Sequence, residues 1–167
     1  MSTAAIALNE TANVTDRRKL HFNSLDEALQ EADRLVAAER HGRLVQLGNW
    51  TLGQALNHIA GWAEFSYSQC PLKTPFIIRL ILWLRKRSFL YGPMPAGVRI
   101  PGVPNGTLVT EPVSLEEGLS RFKAAFQRLK MEPPTHPSPA LGQLTHDEAI
   151  AINLRHAELH LGFFAPV

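Results

Sequence analysis

Apolar residues recur every three to four positions in four stretches of this chain, and each stretch opens with the same kind of signal. The openings are Ser24-Leu-Asp-Glu27, Thr51-Leu-Gly-Gln54, Ser114-Leu-Glu-Glu117 and Thr145-His-Asp-Glu148. In each, a hydroxyl at the N-cap accepts from the third amide of a helix, and the carboxylate or amide three residues on reaches back. The pattern predicts four main helices. The first runs from about Ser24 to Arg40, with Leu25, Ala28, Leu29, Ala32, Leu35 and Val36 on its stripe. The second runs from Thr51 to about Gln69, packs through Ala55, Ile59, Trp62, Ala63 and Phe65, and is stopped by Pro71 and Pro75. The third runs from Ser114 to about Lys130, with Leu115, Leu119, Phe122, Phe126 and Leu129 on one face and Pro133 and Pro134 beyond it. The fourth runs from Thr145 to about Phe164 and carries Ala149, Ile152, His156, Leu159, His160 and Phe163. No segment alternates with period two for long enough to predict a sheet. The expected class is all-α.

Connection lengths predict the topology. About ten residues join the first two helices, enough for an antiparallel pair, whereas residues 70–113 separate the second from the third. A link that long crosses a bundle and leaves the helices it joins parallel. The fourth helix then returns antiparallel to the second, giving a four-helix bundle with up-down-down-up order. Within the crossover, residues 75–91 mix an apolar run with Arg79, Arg85, Lys86 and Arg87, and predict one extra short helix. It is too short and too charged to span a bilayer. The favoured roles are a cap on the bundle or a homodimer contact, with a membrane surface as a third. The proline-rich stretch 92–106 is read as a stiff loop walling a pocket and setting substrate choice.

Composition narrows the function classes. A chain of 167 residues, 45% of them hydrophobic, fits one domain, here residues 17–167 behind a loose arm of residues 1–16. A net charge of +2, with no basic stripe interleaved with aromatics, excludes nucleic acid as the expected partner. The single cysteine, Cys70, excludes an internal disulfide and fits a reducing, cytoplasmic compartment; it is read as structural filler. The start of the chain has neither a basic n-region nor a long apolar core, so no signal peptide is expected.

Candidate chemistry lies in the histidines. His156 and His160 are four apart on the fourth helix, so they project from one face, roughly 6 Å apart in rise. His58 lies seven residues past the N-cap of the second helix, roughly 10 Å in. His156 and His160 lie eight and four residues before Phe164, roughly 12 and 6 Å from that end. If these helices are antiparallel neighbours, all three histidines share one layer. Three imidazoles converging on one ion leave a coordination position open, the arrangement of catalytic zinc sites. Of the other histidines, His21, His41 and His146 are read as surface residues and His136 as part of a loop at the rim of the site. Glu158 points away from the pair and is read as exposed; Asn57 and Glu64 need not face the site. Gln54 and Asn153, one turn before His58 and His156, are the candidates for supporting hydrogen bonds to them.

Two stretches resemble a known family. Asn49-Trp-Thr-Leu-Gly-Gln-Ala-Leu-Asn-His58-Ile-Ala60 is similar to the second-helix motif of DinB/YfiT-like metalloenzymes, and His156-Ala-Glu-Leu-His160-Leu-Gly-Phe-Phe164 to their last-helix motif. Arg17-Arg-Lys-Leu-His-Phe22, with His136-Pro137 and Leu141-Gly-Gln-Leu-Thr145, resembles an uncharacterised branch of that superfamily. The resemblance spans about residues 17–164. It implies a four-helix bundle with a divalent metal (zinc, nickel or iron) held by His58, His156 and His160. It further implies a small-molecule substrate, with a low-molecular-weight thiol among the candidates. Phe163 stands where the family motif usually carries a glutamine. Two function classes follow: a metal-dependent transferase or hydrolase, and a non-catalytic metal- or ligand-binding bundle. No residue stands out as a dedicated general base.

Overall fold

The computed structural model describes residue 14 and residues 16–167, so the arm expected over residues 1–16 lies almost wholly outside the described residues. Six helices and one small sheet follow in the order α1 (Leu25–Arg40), β1 (Leu44–Gln46), α2 (Leu52–Glu64), α3 (Phe76–Leu84), α4 (Lys86–Tyr91), α5 (Leu115–Met131), α6 (His146–Leu161) and β2 (Phe164–Pro166). The architecture is mostly helical. The four capped helices α1, α2, α5 and α6 contribute most of the core, including Leu35, Leu56, Ile59, Phe122, Phe126 and Leu161. The rings of Phe122 and Phe126 lie 4.1 Å apart between centroids at its centre.

The hydroxyls of Ser24, Thr51, Ser114 and Thr145 each accept from the amide three residues on. The reciprocal half of the capping box forms at Thr145, where Glu148 accepts from the Thr145 amide at 3.0 Å. At the first helix Glu27 accepts instead from the Asn23 amide, at 2.8 Å. At the second, Gln54 turns away and donates to the Thr110 carbonyl at 2.7 Å. Both are departures from the expected pattern, and the second has consequences at the site.

Side-chain pairs set the helix directions. Asp26 meets Lys130, Asp33 meets Lys123 and Glu116 meets Arg40, so α1 and α5 are antiparallel. Gly53, at the start of α2, touches Ser114 and Gly118 at the start of α5. Beyond the other end of α2, the Tyr67 hydroxyl donates to Glu132 O at 2.8 Å just past α5. These two helices are therefore parallel. Arg121 of α5 bridges them, donating to Asn57 at 2.6 Å and pairing with Glu64 at 2.6 Å. Trp50, ahead of α2, stacks on His160, while Trp62 near the end of α2 meets His156. Hence α6 runs antiparallel to α2.

Several expectations need correction. The second helix ends at Glu64 rather than near Gln69, because the Ser66 and Tyr67 amides tighten onto Ala63 and Glu64. The Ser66 carbonyl then leaves the helix axis to accept from the Thr135 and His136 amides. The last helix ends at Leu161 rather than at Phe164, where the Gly162 carbonyl accepts from the Arg18 amide at 2.9 Å. A two-stranded sheet exists where none was expected. β1 and β2 pair antiparallel with Leu44 opposite Pro166, Val45 opposite Ala165 and Gln46 opposite Phe164. Three residues per strand are too few for a period-two signal. The crossover holds two helices rather than one, α3 and α4, joined at Arg85. α4 packs near the start of α6 and is pinned there by Lys86 on Glu148 at 2.7 Å.

The α2–α5 contact gives a test with a sign. Alanine at an exposed helical glycine stabilises by up to about 1 kcal/mol. At Gly118, however, a Cβ would land on the Gly53 carbonyl oxygen. Gly118→Ala should therefore destabilise the fold by about 1–3 kcal/mol through overpacking, measured by urea unfolding. An unchanged or raised stability would mean that α2 and α5 do not approach this closely.

Candidate metal centre

His58 sits on the second turn of α2, and His156 and His160 sit in the C-terminal half of α6. Antiparallel packing brings the three rings together. Centroids lie 5.0 Å apart for His58 and His156, and 4.6 Å apart both for His58 and His160 and for His156 and His160. One nitrogen from each ring can be chosen so that all three lie within 4.8 Å of one another, close enough to hold a metal ion.

The orientation of His58 is fixed from behind. Its Nδ1 lies 2.9 Å from Leu108 O and 3.2 Å from Val109 O. Carbonyls only accept, so Nδ1 carries the proton and Nε2 keeps the lone pair. Val109 turns its carbonyl there from a left-handed backbone, φ 55°. For a β-branched residue that conformation costs roughly 1–2 kcal/mol. Strain of this kind concentrates at functional sites. Two contacts hold it in place. Both Val109 methyls press on Gly61 of α2, where a Cβ would come within 2.7 Å of them. Gln54 secures the next carbonyl, Thr110 O.

Burial keeps the cluster uncharged. It pushes His58 down to about 4, against the two carbonyl contacts. It holds His156 and His160 well below the usual histidine range, and a charge on His58 would lower both further. What His156 and His160 leave accessible borders a cavity of about 400 Å³ rather than open surface. Its walls are mainly apolar: Trp50, Trp62 and Phe65 near the histidines, Leu82 and Phe89 from α3 and α4, and residues 94–100 and 105–107 from the crossover. Trp50 stacks on His160 at 5.4 Å with 15° between planes, and lies 4.6 Å from His58. No carboxylate borders the cavity among the described residues.

Placement of the other sequence candidates is mixed. His136 lines the same cavity from its loop, and Phe163 contributes an apolar wall. Asn57 and Glu64 face α5 through Arg121. His41 and His21 are exposed, but His146 is not: it is half-buried, with Nε2 bonding Leu129 O at 2.6 Å. Glu158 is buried rather than exposed. It accepts from the Phe22 amide at 2.5 Å and pairs with Arg155 at 2.5 Å. It points away from the histidines as its helical angle requires, but the chain before α1 covers that side of α6. Neither Gln54 nor Asn153 bonds a histidine ring; Asn153 donates to Ala149 O at 2.8 Å. Sequence reasoning put Trp62 on a packing face and Trp50 in a motif without assigning either to the site, and it missed the carbonyls of Leu108 and Val109. Trp50 had an available signal, since an apolar residue immediately before an N-cap often packs onto the first turns of its helix.

The neutral histidines predict acid lability of the metal-free protein. The unfolded chain takes up protons near pH 6.5 while folded His58 resists until about pH 4. More protons on the unfolded state means that stability rises with pH across that window and falls as pH drops through it. His58 alone accounts for roughly 3 kcal/mol between the two values, with His156 and His160 acting in the same direction. Urea unfolding in a chelator at pH 7, 6, 5 and 4 should show this slope, and His58→Gln should flatten it. A slope unchanged by His58→Gln would mean that the ring is not held neutral.

No curated protein and no solved structure matches this chain. A family model described as Protein of unknown function (DUF1569) matches residues 14–167. The match covers α1 to β2 and all three clustered histidines, and the chain belongs to that family.

Proposed function

We propose that this protein is a divalent-metal-dependent enzyme of the DinB/YfiT-like type, a four-helix bundle with up-down-down-up order in which His58, His156 and His160 are the protein ligands. The observation that carries the reading is the convergence of three imidazoles, one buried and two half-buried, on one wall of a cavity. The parallel α2 and α5 and the antiparallel α2 and α6 support the bundle. Three neutral nitrogen donors suit zinc, nickel or iron and leave coordination positions for a small molecule. When bound there, the ion supplies Lewis acidity that activates water or a thiol near neutral pH.

The protein's own residues then choose between chemistries. The Leu108 and Val109 carbonyls orient His58 and raise its basicity as a ligand. Trp50 and Trp62 pack around the imidazoles and exclude water from their flanks. Hydrolysis is commonly assisted by a histidine or carboxylate general base; no carboxylate borders this cavity among the described residues, and outside the cluster only His136, on its rim loop, could serve. Thiol transfer needs a thiolate and an electrophile held near it, which apolar walls favour. Transfer from a low-molecular-weight thiol to an apolar electrophile is therefore favoured over hydrolysis. The same lack of a carboxylate also fits a second reading, a metal- or ligand-binding bundle without turnover.

Metal content and turnover test both. The wild-type protein should retain one divalent ion per chain, measured by plasma emission after dialysis. His58→Ala, His156→Ala and His160→Ala should each weaken retention at least ~100-fold, beyond the 10–100-fold typical of losing an outer hydrogen bond. Circular dichroism should show all three folded, since the apolar core is independent of the ion. His146→Ala should keep full metal content and lose only stability, through the missing bond to Leu129 O. Full metal in the three variants would end the proposal. Metal without turnover against a panel of thiols and electrophiles would leave the binding-protein reading.

A further inference from the structure

Helix α3 is built unlike any other helix of the described residues. Its sequence is Phe-Ile-Ile-Arg-Leu-Ile-Leu-Trp-Leu, and none of its residues is buried. Phe76, Ile77, Trp83 and Leu84 are 76%, 70%, 61% and 69% exposed. At 100° per residue, Trp83, Phe76, Leu80, Leu84, Ile77 and Ile81 fall on one continuous arc of roughly 160°. Leu82 lies on the other side and borders the cavity, while Arg79 marks the edge of the arc. Water is a poor solvent for so large a contiguous apolar face, and such faces mark interaction sites.

Charge identifies the partner. Between Glu64 and Glu111 the chain has no acidic residue, yet it carries Lys73, Arg79, Arg85, Lys86, Arg87 and Arg99. The whole chain is only +2, so the remainder is net acidic and the positive charge is gathered around α3. Lys86 is spent on Glu148. Arg79, Arg85 and Arg87 are exposed and have no carboxylate partner among the described residues. A second copy of this face is a poor match, because a two-fold contact sets like surfaces opposite each other. These arginines would meet with no acid in the segment to separate them. An apolar arc with tryptophan, flanked by unpaired arginines, has instead the composition of a helix lying in the plane of an anionic bilayer. At nine residues α3 is far too short to cross one.

We infer that α3 and the arginines beside it form a docking surface for an anionic lipid membrane. The apolar arc enters the interfacial region, and Arg79, Arg85 and Arg87 stay at the level of the headgroup phosphates. Leu82 and Phe89 line the cavity from α3 and α4, so the docked face lies next to the cavity wall. A ligand that partitions into lipid reaches the histidine cluster from that side. The docking itself does not depend on the metal reading.

Flotation of the full chain with lipid vesicles tests it. The protein should bind vesicles of phosphatidylcholine with phosphatidylserine, far less to phosphatidylcholine alone, and release as salt is raised. Phe76→Ser with Ile77→Ser and Leu84→Ser removes three of the most exposed apolar side chains without touching the core, and should cut binding at least tenfold. Arg85→Gln with Arg87→Gln should cut it roughly 25-fold, about fivefold per charge. Both variants should keep wild-type circular dichroism and metal content, which separates this test from the metal proposal. Failure to bind anionic vesicles overturns the inference, as does equal binding to neutral ones. Self-association in sedimentation, abolished by the serine variant and unaffected by vesicles, would assign the face to a second copy and overturn it as well.

Discussion

Two glycines placed face to face, Gly53 and Gly118, let the backbones of α2 and α5 come closer than any side chain would permit. Much of the molecule follows from that approach. Helices lying parallel cannot be joined by a short turn, so the chain must travel from one end of the pair back to the other before α5 begins. The returning stretch supplies most of what is distinctive here. It donates the carbonyls of Leu108 and Val109 that set the His58 ring, the apolar wall opposite the histidines, and the two short helices on the outside. Arg121 locks the same pair of helices through Asn57, the residue next to His58. The position of the first imidazole is thus a product of backbone contact on the opposite side of its own helix.

The cluster is held by exclusion rather than by charge. Nothing acidic borders the cavity among the described residues, and burial drives each imidazole toward its neutral form, helped at His156 and His160 by the neighbouring rings. That is an expensive arrangement for a fold with no use for it: three basic groups are kept in the one protonation state that leaves nitrogen lone pairs available. The strained backbone at Val109 points the same way, since a β-branched residue in that conformation persists only where its surroundings enforce it. Phe163 continues the theme by adding an apolar ring to the cavity wall.

What could be read from the sequence was whatever depends on local spacing. Ser24, Thr51, Ser114 and Thr145 revealed four helix starts, because a hydroxyl and an amide three residues apart interact whatever the rest of the chain does. The shared layer of His58, His156 and His160 was readable for the same reason: rise per residue turns sequence offset into depth. Features decided by distant chain were not readable. Glu158 looked exposed because the residues that cover it, around Phe22, precede α1. His146 found its acceptor on α5. Gln54 left its capping box for a carbonyl fifty-six residues away. The early end of α2 depended on amides at 135 and 136. None of these partners leaves a trace in the spacing of its own segment.

The ribbon of β1 and β2 is small, but its location makes the two ends of the functional wall mechanically continuous. It fastens residues 164–166 to residues 44–46, Leu47 donates to Phe163 O, and only three residues later comes Trp50, the ring stacked on His160. Shortening the chain at residue 163, or pulling on residues 164–167 with a bulky fusion, would therefore loosen the aromatic lid over the last imidazole while leaving every core helix intact. A damaged preparation of that kind would pass each test for correct folding and still have lost the shape of its cavity.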